Sequence, residues 1–74
     1  MESTETKTIQ IVVNGEPKRV PEGLNLATLL VWLGVDSSRV AIEHDRKIVR
    51  KAQWEAAPVR DGAEIEIVWF VGGG

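Results

Sequence analysis

The sequence predicts an α+β domain, a mixed sheet of about five strands packed on one helix, with a flexible glycine tail. Three observations carry that expectation. Ile9, Ile11 and Val13 alternate along a first strand that runs into Asn14-Gly15. Leu26, Leu29, Leu30 and Leu33 recur at the i, i+3, i+4, i+7 spacing of one buried helical face. A second apolar strand, Glu64 to Val71, then gives out into Gly72-Gly73-Gly74.

The elements follow in order. Thr8 to Val13 reads as a strand with one buried side. Asn14-Gly15 is a strong hairpin signal because both residues tolerate positive φ. Lys18-Arg19-Val20 returns as a short second strand, stopped by Pro21-Glu22-Gly23. Asn25 is placed to cap the helix, with Leu24 and Leu29 at the two positions of a hydrophobic staple. Gly34 is placed to end it in the left-handed conformation. Beyond Asp36-Ser37-Ser38, Val40 to His44 and Lys47 to Val49 form a short antiparallel pair about a turn at Asp45-Arg46. Ala52 to Ala57 reads as an irregular or single-turn stretch anchored by Trp54, and Arg60 to Ala63 as a turn. The first and last strands are the longest and most apolar, which puts them at the sheet centre. The helix then crosses one face, the first and last strands run parallel, and the arrangement is a β-grasp.

The chain divides into a polar, aperiodic extension over residues 1–7, expected to be disordered, a domain over 8–71 and a flexible tail over 72–74. Seventy-four residues hold one domain at most and leave little room for a deep catalytic cavity. Nine basic and eleven acidic residues are scattered, a net charge of −2 that argues against nucleic acid. No apolar run approaches a spanning length and no signal peptide opens the chain, so no membrane partner is expected. The absence of cysteine fits a cytoplasmic protein and means that any carried sulfur or acyl group cannot ride on a thiol.

Three terminal glycines lower the stability of an ordered strand, since glycine loses the most conformational freedom. They supply instead a thread without side chains, reaching about 10 Å beyond the fold, with a carboxylate at its tip. The residues around this thread resemble a known family. Val13-Asn14-Gly15-Glu16, Leu29 to Gly34, Ile48 to Trp54, Arg60 to Val68 and Phe70-Val71-Gly72-Gly73-Gly74 together are similar to the sulfur carrier proteins of thiamine biosynthesis, a ubiquitin-like β-grasp family. The resemblance spans Ile9 to Gly74. It departs at Trp69, where relatives often have His, at Arg50, where many have Pro, and in the polar extension.

The resemblance implies a protein without catalytic residues of its own. Gly74 would be the adenylated, sulfur-carrying residue. An α-carboxylate, with a pKa of about 3.3–3.7, is an anion at neutral pH that resists a sulfur nucleophile but can attack the α-phosphate of ATP. The acyl-adenylate can then be converted to a thiocarboxylate. An E1-like adenylyltransferase would use ATP and Mg²⁺ for the first step, a sulfur donor enzyme would complete the second, and a thiazole synthase would receive the sulfur. The carrier itself would bind no cofactor. Gly72 and Gly73 would serve by being narrow, and Val71 and Phe70 would sit at the partner's mouth. The small sulfur-carrying subunit of molybdopterin synthase, and a ubiquitin-like modifier of lysines, are the alternatives with the same activation chemistry. A plain binding module is the third.

No other constellation competes. Gly15, Gly23, Gly34 and Gly62 are isolated, so there is no phosphate loop, and a lone His44 beside a turn reads as a solvated side chain rather than a metal ligand. Glu64 and Glu66 share a strand face and read as exposed charges. Ile65, Ile67 and Trp69 share one face of the last strand, while Val68 and Phe70 share the other with Glu66. Whichever of these faces lies opposite the helix leaves apolar residues exposed, with Val12 beside them, which read either as ordinary sheet cover or as a docking patch beside the tail, with Val68, Phe70 and Val71 as the expected partner-binding residues.

Overall fold

The computed structural model describes residues 7–70. Its elements are β1 (Thr8–Val13), β2 (Glu16–Pro21), α1 (Leu26–Leu33), a 3₁₀ turn at Ser37–Arg39, β3 (Val40–His44), β4 (Lys47–Val49), a longer 3₁₀ stretch at Lys51–Ala56, and β5 (Glu64–Trp69). The sheet order is β2-β1-β5-β3-β4. β5 is central, parallel to β1 and antiparallel to β3.

Local chemistry accounts for each join. Asn14 (φ 51°) and Gly15 (φ 82°) both take the left-handed conformation that a two-residue hairpin requires, which pairs Val13 with Glu16. β2 is longer than Lys18–Val20 and ends on Pro21 instead of stopping before it. The Glu22 N–H donates to the Lys7 carbonyl at 2.8 Å, so the alternating positions Pro17, Arg19 and Pro21 turn their backbone nitrogens away from β1. Proline is tolerated there because no ladder donor is missing.

At the helix start, the Thr28 N–H donates to Asn25 Oδ1 and the Asn25 N–H donates to Thr28 Oγ1, both at 2.8 Å. This is a capping box with threonine in the place usually held by glutamate or glutamine. At the other end Gly34 has φ 76°, the Gly34 N–H reaches the Val31 carbonyl and the Val35 N–H the Leu30 carbonyl. That pair of bonds is the Schellman closure.

The core lies between α1 and one face of the sheet. Leu26, Leu29 and Leu30 are buried with Ile11, Val13, Val20, Ile42, Ile65 and Ile67, and Leu33 is partly buried beside them. Trp54 is buried too, and its indole N–H donates to the Val49 carbonyl at 2.9 Å, so its one polar atom is satisfied. His44 departs from the solvated reading. It pairs with Ile65 on the helix side of the sheet, and its side chain keeps only 22% of its exposure, with Nε2 3.6 Å from Asp45 Oδ2.

A domain this small rests on few large side chains. Leu29→Ala should therefore destabilise it by about 2–5 kcal/mol, read as a lower urea midpoint with an unchanged slope. An unmoved midpoint would show that the leucine stripe is not the core.

Candidate functional site at the end of the last strand

Two constraints hold the end of β5. On one side β3 pairs with it to the last residue, Val40 opposite Trp69, and the Phe70 N–H adds a bond to the Arg39 carbonyl at 2.9 Å. Arg39 is itself positioned by Asp36, whose Oδ1 accepts from the Ser38 N–H at 3.0 Å and the Ser38 hydroxyl at 2.7 Å, and whose Oδ2 lies 3.5 Å from Arg39 Nε. These hydrogen bonds hold the Asp36 carboxyl below the usual carboxylate range.

On the other side, β1 pairs with β5 only at Glu64 and Ile65. The chain then turns at Asn14, and the Asn14 side chain replaces the missing strand for one more step: Oδ1 accepts the Ile67 N–H at 2.8 Å. Asn14 thus serves twice, once through its left-handed backbone and once as a substitute ladder acceptor.

The residues read from the sequence fall as follows. Val68 stands opposite Ala41 on the face away from the helix and is 51% exposed. Phe70 lies just past the strand, 60% exposed. Ile65 and Ile67 fill the core, but Trp69 on that same face is 50% exposed. The last strand ends at Trp69, short of the expected Val71. Val71, Gly72, Gly73 and Gly74, with the expected tail, lie outside the described residues, as does the extension over residues 1–6. Val12 is half-buried and pairs with Glu64, six residues from Phe70, so it belongs to the opposite end of the strand, roughly 20 Å away.

Sequence reasoning missed the side-chain role of Asn14 and the exposure of Trp69. The first gives no signal, because an Asn-Gly turn explains the residue completely. The second was legible in principle: Trp69 is the last paired residue of β5, where the sheet runs out.

Around Val12 and Glu64 the open face holds a shallow depression of about 240 Å³, with Glu43, Glu66 and Arg46 at its rim. Arg46 Nε is 3.8 Å from Glu64 Oε1. The depression has no serine, threonine, cysteine, lysine or histidine in its lining, and no cluster of three metal-ligating side chains occurs among the described residues. Within those residues no helix is long and apolar enough to cross a membrane.

A mixed five-stranded sheet on one helix, with its central last strand paired in parallel to the first, is the ubiquitin-like β-grasp. The sequence matches the model of the ThiS family over residues 5–74, a match that runs through the three glycines. The chain belongs to the ThiS family, the sulfur carriers of thiamine biosynthesis. The crystal structure of the thiamine biosynthesis protein ThiS from Geobacter metallireducens superposes with a TM-score of 0.80 at 33% identity, covering 89% of this chain and 100% of that one. The ycf40 protein of Porphyra purpurea is 37% identical over 68 residues, 92% of this chain and 96% of the relative. A thiazole synthase of Paramagnetospirillum magneticum is 41% identical over 66 residues. The chain spans 89% of itself in that match but only 20% of the synthase.

Two outcomes follow from the geometry. Asn14→Ala leaves the Ile67 N–H without its acceptor and should cost about 1–3 kcal/mol of stability, measured by denaturant unfolding; Asn14→Asp, which keeps an acceptor, should recover most of it. Asp36 has a lowered carboxyl pKa in the folded state, so its contribution is present above the ordinary carboxylate pKa and is lost as pH falls through the lowered value. Asp36→Asn should accordingly flatten the acid limb of a melting-temperature profile and leave the neutral limb parallel to wild type.

Proposed function

We propose that this chain is a sulfur carrier for thiazole formation in thiamine biosynthesis, with the Gly74 carboxylate as the group that is modified. The observation that carries the reading is the end of β5. The strand is anchored by β3 and by the Arg39 carbonyl up to Phe70, and the sequence that follows is Val71 and three glycines. Family membership and the likeness to ThiS support it.

In the first step a carboxylate oxygen of Gly74 attacks the α-phosphorus of ATP and pyrophosphate leaves, which gives the acyl-adenylate. An E1-like adenylyltransferase supplies the site, with Mg²⁺ on the phosphates. In the second, sulfide delivered by a donor enzyme attacks the acyl carbon and AMP departs with the bonding pair, which leaves the thiocarboxylate. A thiazole synthase then takes the sulfur. Partnership with that enzyme is supported by the segment of similar sequence inside thiazole synthases. On this reading the partners supply the acid, base and metal ligands of each step. This chain contributes a thread narrow enough for a partner's slot, and a surface beside it. Val68 and Phe70 form that surface, and Val71 follows them in sequence before the glycines.

The test is the intact mass after incubation with ATP, Mg²⁺, the adenylyltransferase of the same organism and a sulfur donor. A gain equal to sulfur in place of oxygen, absent when Gly74 is deleted, is the expected result. An unchanged mass with an enzyme proven active on its own carrier would overturn the reading. Phe70→Ala should weaken binding to the adenylyltransferase several-fold with an unaltered melting transition, because the ring is largely in solvent. Loss of the transition itself would make Phe70 structural.

A further inference from the structure

The turn that ends β1 carries a reactive pair of residues. Asn14 is a primary amide followed by glycine, so the next backbone nitrogen has no side chain in its way, and the space around the Gly15 Cα is open. Such a nitrogen attacks the side-chain amide carbon. The bond from Gly15 N to Asn14 Cγ forms, the Cγ–Nδ2 bond breaks, and Nδ2 leaves as ammonia with the proton from the Gly15 nitrogen. Water then opens the five-membered imide at either carbonyl, which gives aspartate or isoaspartate at position 14. Asn25, the only other asparagine, precedes Leu26, whose branched side chain crowds the same approach.

Three restraints hold Asn14 away from that reaction in the folded chain. Its backbone has φ 51° and Gly15 follows at φ 82°, both in the left-handed region. Ring closure needs the Gly15 nitrogen turned over the Asn14 side chain, a rotation about Cα–C that leaves this region. The Asn14 N–H donates to the Ile65 carbonyl at 2.9 Å, which ties the residue to β5. Its Oδ1 accepts the Ile67 N–H at 2.8 Å, so the amide is aimed at β5 and not at its own main chain. None of these acts by burial, since Asn14 and Gly15 are both exposed. Water and nucleophile are at hand, and only the conformation is withheld.

We propose that Asn14 is a deamidation site latched by its bond to Ile67, which converts only from conformations in which that bond and the hairpin have opened. The inference does not rest on the carrier reading. Its two products differ in consequence. Aspartate keeps an acceptor for the Ile67 N–H. Isoaspartate routes the main chain through the side-chain carbon and adds a methylene to it, for which a two-residue hairpin of fixed register has no place. A chain that opens long enough to form isoaspartate therefore loses the hold of Asn14 on β5 permanently.

The experiment follows Asn14 by intact mass and peptide mapping in mildly alkaline buffer, with the whole chain folded or held unfolded in urea. In urea, Asn14 should convert well before Asn25. In the folded protein its conversion should be slowed by at least the factor by which amide exchange at Ile67 is slowed, about a hundredfold or more, because both need the same bond broken. Leu29→Ala leaves the turn untouched and should speed both processes together. If that variant unfolds outright, its Asn14 should convert as in urea. Conversion in the folded protein faster than Ile67 exchange allows would overturn the latch. So would an Asn14 that stays intact in urea, or a Leu29→Ala chain in which Ile67 exchange rises and conversion does not. The separated products should differ too, the isoaspartyl chain having the lower urea midpoint; equal midpoints would overturn the claimed loss of the Asn14 anchor.

Discussion

The end of β5 depends on a mismatch in length between two parallel strands. β1 stops at Val13 because Asn14-Gly15 reverses the chain, and the parallel register leaves β5 to run on from Ile65 to Trp69 alone on that side. Had β1 been four residues longer, the strand leading to the glycines would have been closed on both sides. As it is, the central strand is secured by β3 along its whole length and open along half of it. Position is thereby fixed while access is kept.

That arrangement separates the source of stability from the place where chemistry is proposed. Burial is concentrated in the α1 leucines, Trp54 and the first half of β5, and every fully buried large side chain lies at or before Ile65. From Ile67 to Phe70 the strand holds its place with a few well-aimed hydrogen bonds, the Ile67 N–H donating to Asn14 Oδ1 and the Phe70 N–H to the Arg39 carbonyl, while Val68, Trp69 and Phe70 stay at least half exposed. Such bonds are individually worth about 0.5–1.5 kcal/mol. They set direction more than they set stability, which is what a strand leading to a carrier's tail requires.

Most of the fold was legible because its signals are local. The hairpin at Asn14-Gly15, the Asn25 cap, the leucine stripe and the Gly34 stop are short-range chemistry, and each stands where expected. The central placement of β1 and β5 was legible in their apolarity, though β2 proves as long as either, and their parallel pairing came with the β-grasp topology. What escaped the sequence depends on register between distant segments. Asn14 accepting from Ile67 joins residues 53 apart. His44 is covered because it falls opposite Ile65, and Trp69 is exposed because Val40 is the last residue of β3 to pair. Val12 looked adjacent to Val68 by face, yet parallel register puts it at the far end. Of the proposed site, alternation put Val68 and Phe70 on one face but left open which face the helix covers; their exposure follows from the register with β3, and the open backbone between them was not legible, since no residue type encodes a strand's missing neighbour.

The open edge also bears on why this surface is apolar at all. An unguarded strand edge with exposed Val68, Trp69 and Phe70 invites pairing with other copies, and the two outer edges of the same sheet are protected against it. Leaving one edge unprotected is a cost to a free-standing domain with a core this small. It is offset if the edge spends its working life against another chain. A carrier whose tail must enter a partner's site gains from that, because each backbone bond made beside the tail limits how the glycines are presented. Glycines are the residues least able to hold a conformation by themselves. Order is therefore supplied at the root of the glycines, where β3 and the Arg39 carbonyl hold β5 as far as Phe70.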